Sequence, residues 1–361
     1  MKKAIVSITN DISTDQRVAK TCDTLKSLGY EVLLVGRKHK NSASLSRNYK
    51  TKRFRLVFNT SFFFYAEYNL RLFFFLLFAK KELLVSNDLD TLLPNYLISK
   101  LQRKRLVYDS HELFTEVPEL VEKTFVKKFW TSIEQWIFPK LKTVIVVSQS
   151  IADYYEKKYG TACTVIRNFP QDTQVEKTVF PFDTKGKKII LYQGALNIGR
   201  GLELMIDAVT TLENYILVIA GDGDIAEKLK NYVHTKELDK KVFFLGKLDP
   251  PQLKNVTLKA DVGLSLEEDL GLNYRYALPN KVFDYINAEI PVIVSDLPEM
   301  KSIVIEHKVG VVLNDRTPER LSTLINTMDK EKYTDALKKA KKELNWNTEK
   351  EKLIHIFKHL N

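Results

Sequence analysis

Residues 188–209 read KIILYQGALNIGRGLELMIDAV, and the pattern of this stretch decides the fold. Residues 188–192 form a short β-branched and apolar run without alternation, as in a strand covered on both faces. A loop carrying Gly194, Gly199 and Gly201 follows. Then Leu202, Met205, Ile206 and Val209 recur at helical spacing, so the chain passes from strand to helix through a glycine-rich turn. Repeated units of this kind build a parallel sheet with helices on both faces.

The flanking sequence repeats the unit. Further strands are expected at 215–220, 241–245, 262–266, 291–295 and 310–313. Ahead of it, strands are expected at 4–8, 31–35, 83–85, 105–108 and 143–147, with helices near 17–28, 90–100, 127–138 and 150–159. Residues 171–187 are polar and contain Pro181 and Gly186, which reads as a linker. The expectation is an α/β chain of two doubly wound, Rossmann-like domains, 1–170 and 188–340, with a C-terminal helix at 341–361 packing back toward the first. Ligands of such sheets lie outside the carboxyl ends of the strands, and two such domains leave a cleft between them.

At 361 residues the chain suits two domains rather than one core. Its 56 Lys and Arg against 45 Asp and Glu give a net charge of +11, which favours a partner of negative charge. No aromatic-studded basic module accompanies that charge, so a phosphorylated substrate or an anionic membrane is expected and nucleic acid is not. Cys22 and Cys163 are too few for a disulfide framework or a zinc site and suit a reducing cytoplasm. The apolar run after Met1-Lys2-Lys3 is too short for a leader, and the expected location is cytoplasmic. Residues 62–79 are the most membrane-like stretch, but Glu67, Asn69 and Arg71 interrupt it. It reads as an aromatic helix that is either core or membrane-facing, with Glu67 and Arg71 paired at i,i+4. Lys80 and Lys81 follow, so a peripheral position on the inner face of the cytoplasmic membrane is also expected.

Four stretches carry candidate chemistry. In Gly194-Ala195-Leu196-Asn197-Ile198-Gly199-Arg200-Gly201, glycines permit close approach, a helix start offers unpaired N–H groups, and Arg200 adds fixed charge; this suits an anion. In Leu278-Pro279-Asn280-Lys281-Val282-Phe283-Asp284, Asn280 suits an N-cap and Lys281 the first helical position, where a cation is unfavourable unless it holds an anion. Lys281 and Asp284 share a face, and Asp284 could accept from ribose hydroxyls. Two helix starts, at Gly201 and Lys281, would clamp one diphosphate from two sides. In Asp109-Ser110-His111-Glu112, His111 stands at a strand end, where it could bind a substrate hydroxyl or move a proton. In residues 10–17, Asp15 reads as a helix cap and Arg17 as a phosphate or acceptor ligand, with neither favoured. Two further patterns are set aside. Gly221-Asp222-Gly223-Asp224-Ile225-Ala226 fits a dinucleotide fingerprint, but its carboxylates would repel pyrophosphate. Asp88-Leu89-Asp90 spells a metal-diphosphate motif, but Asp90 reads as a helix cap.

Together NDISTDQRV (10–18), NDLDTL (87–92), YDSHELFTEVPEL (108–120), YQGALNIGRGL (192–202) and LPNKVFDYINAEIPVIV (278–294) resemble the retaining GT-B glycosyltransferases of the bacterial "glycosyl transferases group 1" family. The resemblance implies a sugar transferred from a nucleotide diphosphate sugar to a sugar, lipid-linked or other hydroxyl acceptor, with retention, without metal or cofactor, in surface polysaccharide or glycolipid synthesis. It implies that Arg200 and Lys281 bind the diphosphate, that His111 lies near the transferred sugar, and that Asp284 takes the ribose position. Gly194, Asn197, Gly199, Gly201, Gly221, Asn280 and Glu267 complete the implied donor site, and Asp15 and Arg17 the acceptor side. The chain departs from the family in Ala195, which replaces an Arg, in Asp284, which replaces a Glu, and in Tyr276, which stands where the first Glu is usual; Glu267 or Glu268 is the substitute. An epimerase of the same fold and a catalytically silent nucleotide-sugar-binding module are the alternatives.

Overall fold

The computed structural model describes residues 2–13, 15–39, 42, 44–117, 120, 123–171, 184 and 186–360. The chain packs as two units, one of Met1–Asn168 with Glu349–Asn361 and one of Phe169–Thr348. Most of the expected linker lies outside the described residues.

Among the described residues, unit 1 holds a 7-stranded sheet in the order β3-β2-β1-β4-β5-β6-β7. Its strands are β1 (Lys3–Asp11), β2 (Glu31–Arg37), β3 (Lys50–Phe54), β4 (Leu83–Asn87), β5 (Arg105–Ser110), β6 (Val144–Val146) and β7 (Thr164–Val165). Unit 2 holds a 6-stranded sheet in the order β10-β9-β8-β11-β12-β13. Its strands are β8 (Lys188–Gln193), β9 (Tyr215–Ala220), β10 (Val242–Gly246), β11 (Val262–Ser265), β12 (Val292–Ser295) and β13 (Gly310–Leu313). The described pairings are parallel, so both doubly wound sheets are as expected. The edge strands β3 and β7 were not expected.

The unbroken apolar runs have a simple cause. On β8, Ile190 and Tyr192 enter one core with Leu217 and Ile219 of β9, while Ile189 and Leu191 enter a second with Ile216 and Val218. Neighbouring residues thus feed opposite faces, and both faces are dry. In unit 2 the polar strand residues Lys188, Gln193, Ser265 and Ser295 stand at strand ends, where the loops leave the sheet.

In unit 1 the helix Ser61–Phe78 divides the stretch read as core or membrane-facing. Phe64, Tyr68, Leu72 and Leu76, four residues apart, join Ile5, Val35, Phe54, Leu84 and Ile98 in the core. Phe62, Phe63, Phe74 and Phe78 are exposed, so neither single reading covers the whole helix. By length and composition the helix could cross a membrane, yet it seats its buried row on this sheet. Glu67 pairs with Arg71 at 2.8 Å, as expected, and also accepts from the Val57 and Phe58 N–H groups. The last helix, Trp346–Lys358, brings Leu353, Phe357 and Glu349 into burial, and the Glu349 carboxylate accepts from the Arg167 N–H at 2.8 Å.

The two faces of Ser61–Phe78 differ in what they contribute to stability. Leu72→Ala should cost about 2–5 kcal/mol, whereas Phe78→Ala should stay within ~0.5 kcal/mol. Denaturant unfolding of both variants checks this; equal losses would mean that the outer face is also packed.

Candidate functional site

The strand order of unit 2 reverses at the β8–β11 pair, and ligands of open α/β sheets bind outside the strand ends at such a reversal. The loops leaving β8 and β11 meet there. Gly201, at φ 69°, opens the helix Leu202–Val209, and a Cβ on it would stand 2.3 Å from the Leu266 carbonyl oxygen. Only glycine lets the β8 loop rest on the end of β11.

Glu267, just beyond β11, is fully buried. Its Oε1 receives Lys281 Nζ at 2.9 Å and lies 3.5 Å from Arg200 Nη1, while Ser265 Oγ donates to Oε2 at 2.7 Å. Lys281 reaches it from the start of the helix Asn280–Asn287, with Nζ 4.0 Å from the centre of the Tyr192 ring. Gly194 allows this approach, since a Cβ there would be 3.3 Å from Lys281 Cε. The Arg200 guanidinium lies 4.9 Å from the Tyr274 ring centre, and its Nε is buried without a hydrogen-bond partner. Burial would raise the Glu267 carboxyl pKa, but Lys281, Ser265 and Arg200 hold it below the usual glutamate value. Two cations on one carboxylate leave a surplus positive charge at a helix start, an arrangement suited to a phosphate-bearing anion.

Several of the expected placements shift in the structure. Asn280 is not the cap; Pro279 holds that position and Asn280 is the first helical residue. Lys281 is the second helical residue rather than the first, and it is buried as the ion-pair partner of Glu267. Asp284 Oδ2 accepts from Gln193 Nε2 at 2.9 Å, and Gln193 Oε1 accepts from Thr257 at 2.7 Å. Asn197 Oδ1 accepts from the Asp224 N–H, so it braces the neighbouring loop. A Cβ at Gly221 would fall 1.8 Å from the Gly194 carbonyl oxygen, and one at Gly199 would fall 2.5 Å from Leu270 Cδ1. Gly221 is therefore a packing requirement, while Gly199 is called for by its φ of 80°. Sequence reasoning missed Gln193 and Arg316. Arg316 Nη1 donates to Ser295 Oγ at 2.6 Å and the Glu267 carbonyl at 3.2 Å, and Nη2 to the Leu266 carbonyl at 3.0 Å. Its place three residues beyond β13, past a carboxyl strand end, was the available signal.

Unit 1 reverses at β1–β4, and the loops after β1, β4 and β5 gather a second polar cluster. Asp88 adopts φ 57° and turns its carboxylate to His111, accepting from the His111 N–H at 2.7 Å and lying 3.4 Å from Nδ1. Asp109 stands 3.6 Å from His111 Nε2. Burial alone would lower the imidazole pKa, but Asp88 and Asp109 outweigh it and push it up to about 9. His111 is thus an imidazolium at neutral pH. Asp90 is not the cap; Asp88 holds that position, and Asp90 is buried in the first turn, accepting from Thr9 Oγ1. Burial and then Asp88 push Asp90 up to about 8, so it is largely a neutral acid at pH 7.

Asp15 caps the helix Gln16–Ser27, accepting from the Val18 N–H at 2.9 Å. Arg17 is buried, doubly bonded to Asp109 at 2.6 and 3.3 Å and bonded to the Ile166 carbonyl at 2.8 Å. Three of its five N–H donors are spent inside the unit, and with its burial this favours a brace between β5 and the segment after β7 over the reading as a phosphate or acceptor ligand. Among the described residues, no three of His, Cys, Asp or Glu gather to hold a metal ion.

Residues 174–346 match the family model "Glycosyl transferases group 1", and residues 15–170 match "Glycosyltransferase Family 4". An uncharacterized glycosyltransferase of Methanocaldococcus jannaschii is 28% identical over 141 residues, which cover 38% of this chain and 34% of that protein. The match thus spans about a third of that relative. Sucrose-phosphate synthase of Thermosynechococcus elongatus superposes over 100% of this chain and 99% of its own at TM-score 0.80 and 14% identity. HepE of Anabaena, solved in complex with UDP-glucose, superposes over 100% of both chains at TM-score 0.73 and 14% identity. At these identities the likeness is one of fold.

A His111 pKa raised above the free value of 6.5 means that its charge stabilises the folded state fully below about 6.5 and ceases to do so as the pH rises through about 9. The His111 ring signals should titrate near 9 by NMR, and Asp109→Asn should move that midpoint down. The stability gap between wild type and His111→Gln should close over the same window. A midpoint at or below 6.5 would refute the two-carboxylate clamp.

Proposed function

Because the chain belongs to the glycosyl transferases group 1 family and has the GT-B fold, we propose that it moves a sugar from a nucleotide diphosphate sugar to a hydroxyl acceptor with retention of configuration. The observation that carries this reading is the meeting of Lys281 and Arg200 on one buried oxygen of Glu267, at the strand reversal of unit 2. Bond cleavage at the sugar places new negative charge on the departing diphosphate. Lys281, Arg200 and the N–H groups at the two helix starts are held ready to stabilise it, and preorganised charge of this kind usually speeds a reaction more than any other single effect. Asp284, one turn into the same helix, carries a carboxylate of the kind that accepts from ribose hydroxyls. The His111 imidazolium is a donor suited to a sugar hydroxyl. The departing phosphate can itself take the acceptor's proton. Solved neighbours bound to UDP or UDP-glucose support a nucleotide-sugar donor. Surface polysaccharide or glycolipid synthesis on the cytoplasmic side is the setting this reading implies.

Incubation with UDP-, GDP-, ADP- and dTDP-linked sugars, with and without acceptor extract, tests the proposal. Conversion of donor without acceptor would favour the epimerase, and binding without turnover a silent module. In the transferase, Lys281→Ala and Arg200→Ala should each lower turnover by ~10²-fold or more. Wild-type turnover in either folded variant would sink the clamp.

With Lys281 and Arg200 supplying the charge, transfer should persist in chelator. Complete loss, restored by Mg²⁺ or Mn²⁺, would reassign Asp88 and Asp90 to a metal.

A further inference from the structure

Unit 1 contains a cavity that the donor chemistry does not use. It has a volume of about 280 Å³ and lies among the helices Ser61–Phe78, Leu89–Leu101 and Thr124–Ile137. Its wall is almost wholly apolar, with Tyr65, Phe73, Leu93, Leu97, Trp130 and Ile133 as principal members. Edge-to-face contacts hold the wall in shape, Tyr65 on Trp130 at 5.3 Å and Phe62 on Phe129 at 5.8 Å. A few hundred cubic ångströms of preformed apolar space is the small end of ligand pockets, enough for a segment of one hydrocarbon chain.

Asn69 is the polar exception in that wall. Its Nδ2 donates to the Tyr65 carbonyl at 2.8 Å and the Asp90 carbonyl at 2.9 Å, and its Oδ1 is buried without a hydrogen-bond partner. Asp90 belongs to the Thr9–Asp88–His111 cluster, so the cavity wall is hydrogen-bonded to that cluster's own helix turn. At the other extreme, Phe62, Leu70, Leu97 and Phe129 line the cavity and are exposed. Phe63, Phe74, Phe78, Phe125 and Trp136 continue the exposed apolar surface on the same helices. Cations lie beside it: Lys140 is 5.2 Å from the exposed Trp136 ring centre, and Lys100 is 5.3 Å from that of Tyr96, which is buried against Trp136. Exposed Lys80 and Lys128 add to them. Rings interleaved with lysines suit the level of lipid headgroups, with charge toward phosphate and rings toward chains.

We propose that this cavity holds the hydrocarbon chain of an anionic lipid, and, resting on the transferase reading, that this lipid is the sugar acceptor. The chain enters past Leu70 and Phe129. The lysines hold its charged end at the surface.

The test uses the full chain with cis-parinaric acid as probe and n-alkyl phosphates as competitors. Saturable binding of one probe per chain is expected, with competitors gaining about fourfold in strength per added methylene while the cavity has room. Leu70→Glu and Phe129→Glu should each weaken the probe at least tenfold. Phe74→Glu, exposed but outside the cavity wall, should leave it within twofold, which separates a cavity from general stickiness. All three variants should unfold at the wild-type temperature. Unsaturable binding, or wild-type binding in both cavity variants, overturns the cavity proposal. So does a dimer in sedimentation that Leu70→Glu disperses, because a second copy would then be the occupant. UDP binding by calorimetry serves as the separate arm: its absence beside intact probe binding overturns the transferase reading and the acceptor role together.

Discussion

The site in unit 2 depends on a carboxylate that never meets solvent. Lys281 and Arg200 arrive at the same place from different loops, and at that distance two cations repel. Glu267 between them turns repulsion into a fixed array, with Ser265 holding the second oxygen. The cost of burying Glu267 and Lys281, with Arg200 half-buried beside them, is met only because they are paired and hydrogen-bonded; removing one partner of a buried pair typically costs about 3–5 kcal/mol. What the array provides is position. Two long side chains that would otherwise sample many rotamers are already oriented when an anion arrives, so little reorganisation remains at the moment charge develops.

Unit 1 solves the same problem with the signs reversed. Two carboxylates, Asp88 and Asp109, surround the single imidazole of His111. Asp109 is shared with Arg17, which holds that carboxyl far below the usual range although burial opposes it. Each unit therefore collects buried charge at the strand pair where its sheet changes direction. In unit 2 the strand interiors are filled largely by Val, Ile, Leu and Tyr side chains on both faces.

The repeating units were legible because a strand buried on both faces has few choices of residue. The strand β9 was read at its observed limits, and β8 ended one residue later than its pattern suggested. The strands β3 and β7 escaped notice because both lie at sheet edges. Lys50-Thr51-Lys52-Arg53-Phe54 exposes most of its length, and β7 is only two residues long. The cationic members of the donor site were legible from their loops, and Glu267 from the family resemblance, but the pairing of the three was not. Glu267 is fourteen places from Lys281 in sequence, and only the packing of β11 beside β8 brings it to Arg200. Arg17 was left open because an arginine beside a helix start looks the same whether its partner is a ligand or a buried aspartate. The aromatic helix Ser61–Phe78 misled in a different way: rings on both faces hide the spacing of four that marks the buried row.

Unit 1 is discontinuous in sequence, since Glu349–Asn361 belongs to it while Phe169–Thr348 forms the other unit. Synthesis runs from the N-terminus, so the unit that emerges first is the one completed last. Leu353, Phe357 and the carboxylate that receives the Arg167 N–H all leave the ribosome after the whole of unit 2. A nascent chain halted anywhere in unit 2 therefore carries a first unit with an uncovered apolar seam, the kind of surface that molecular chaperones hold.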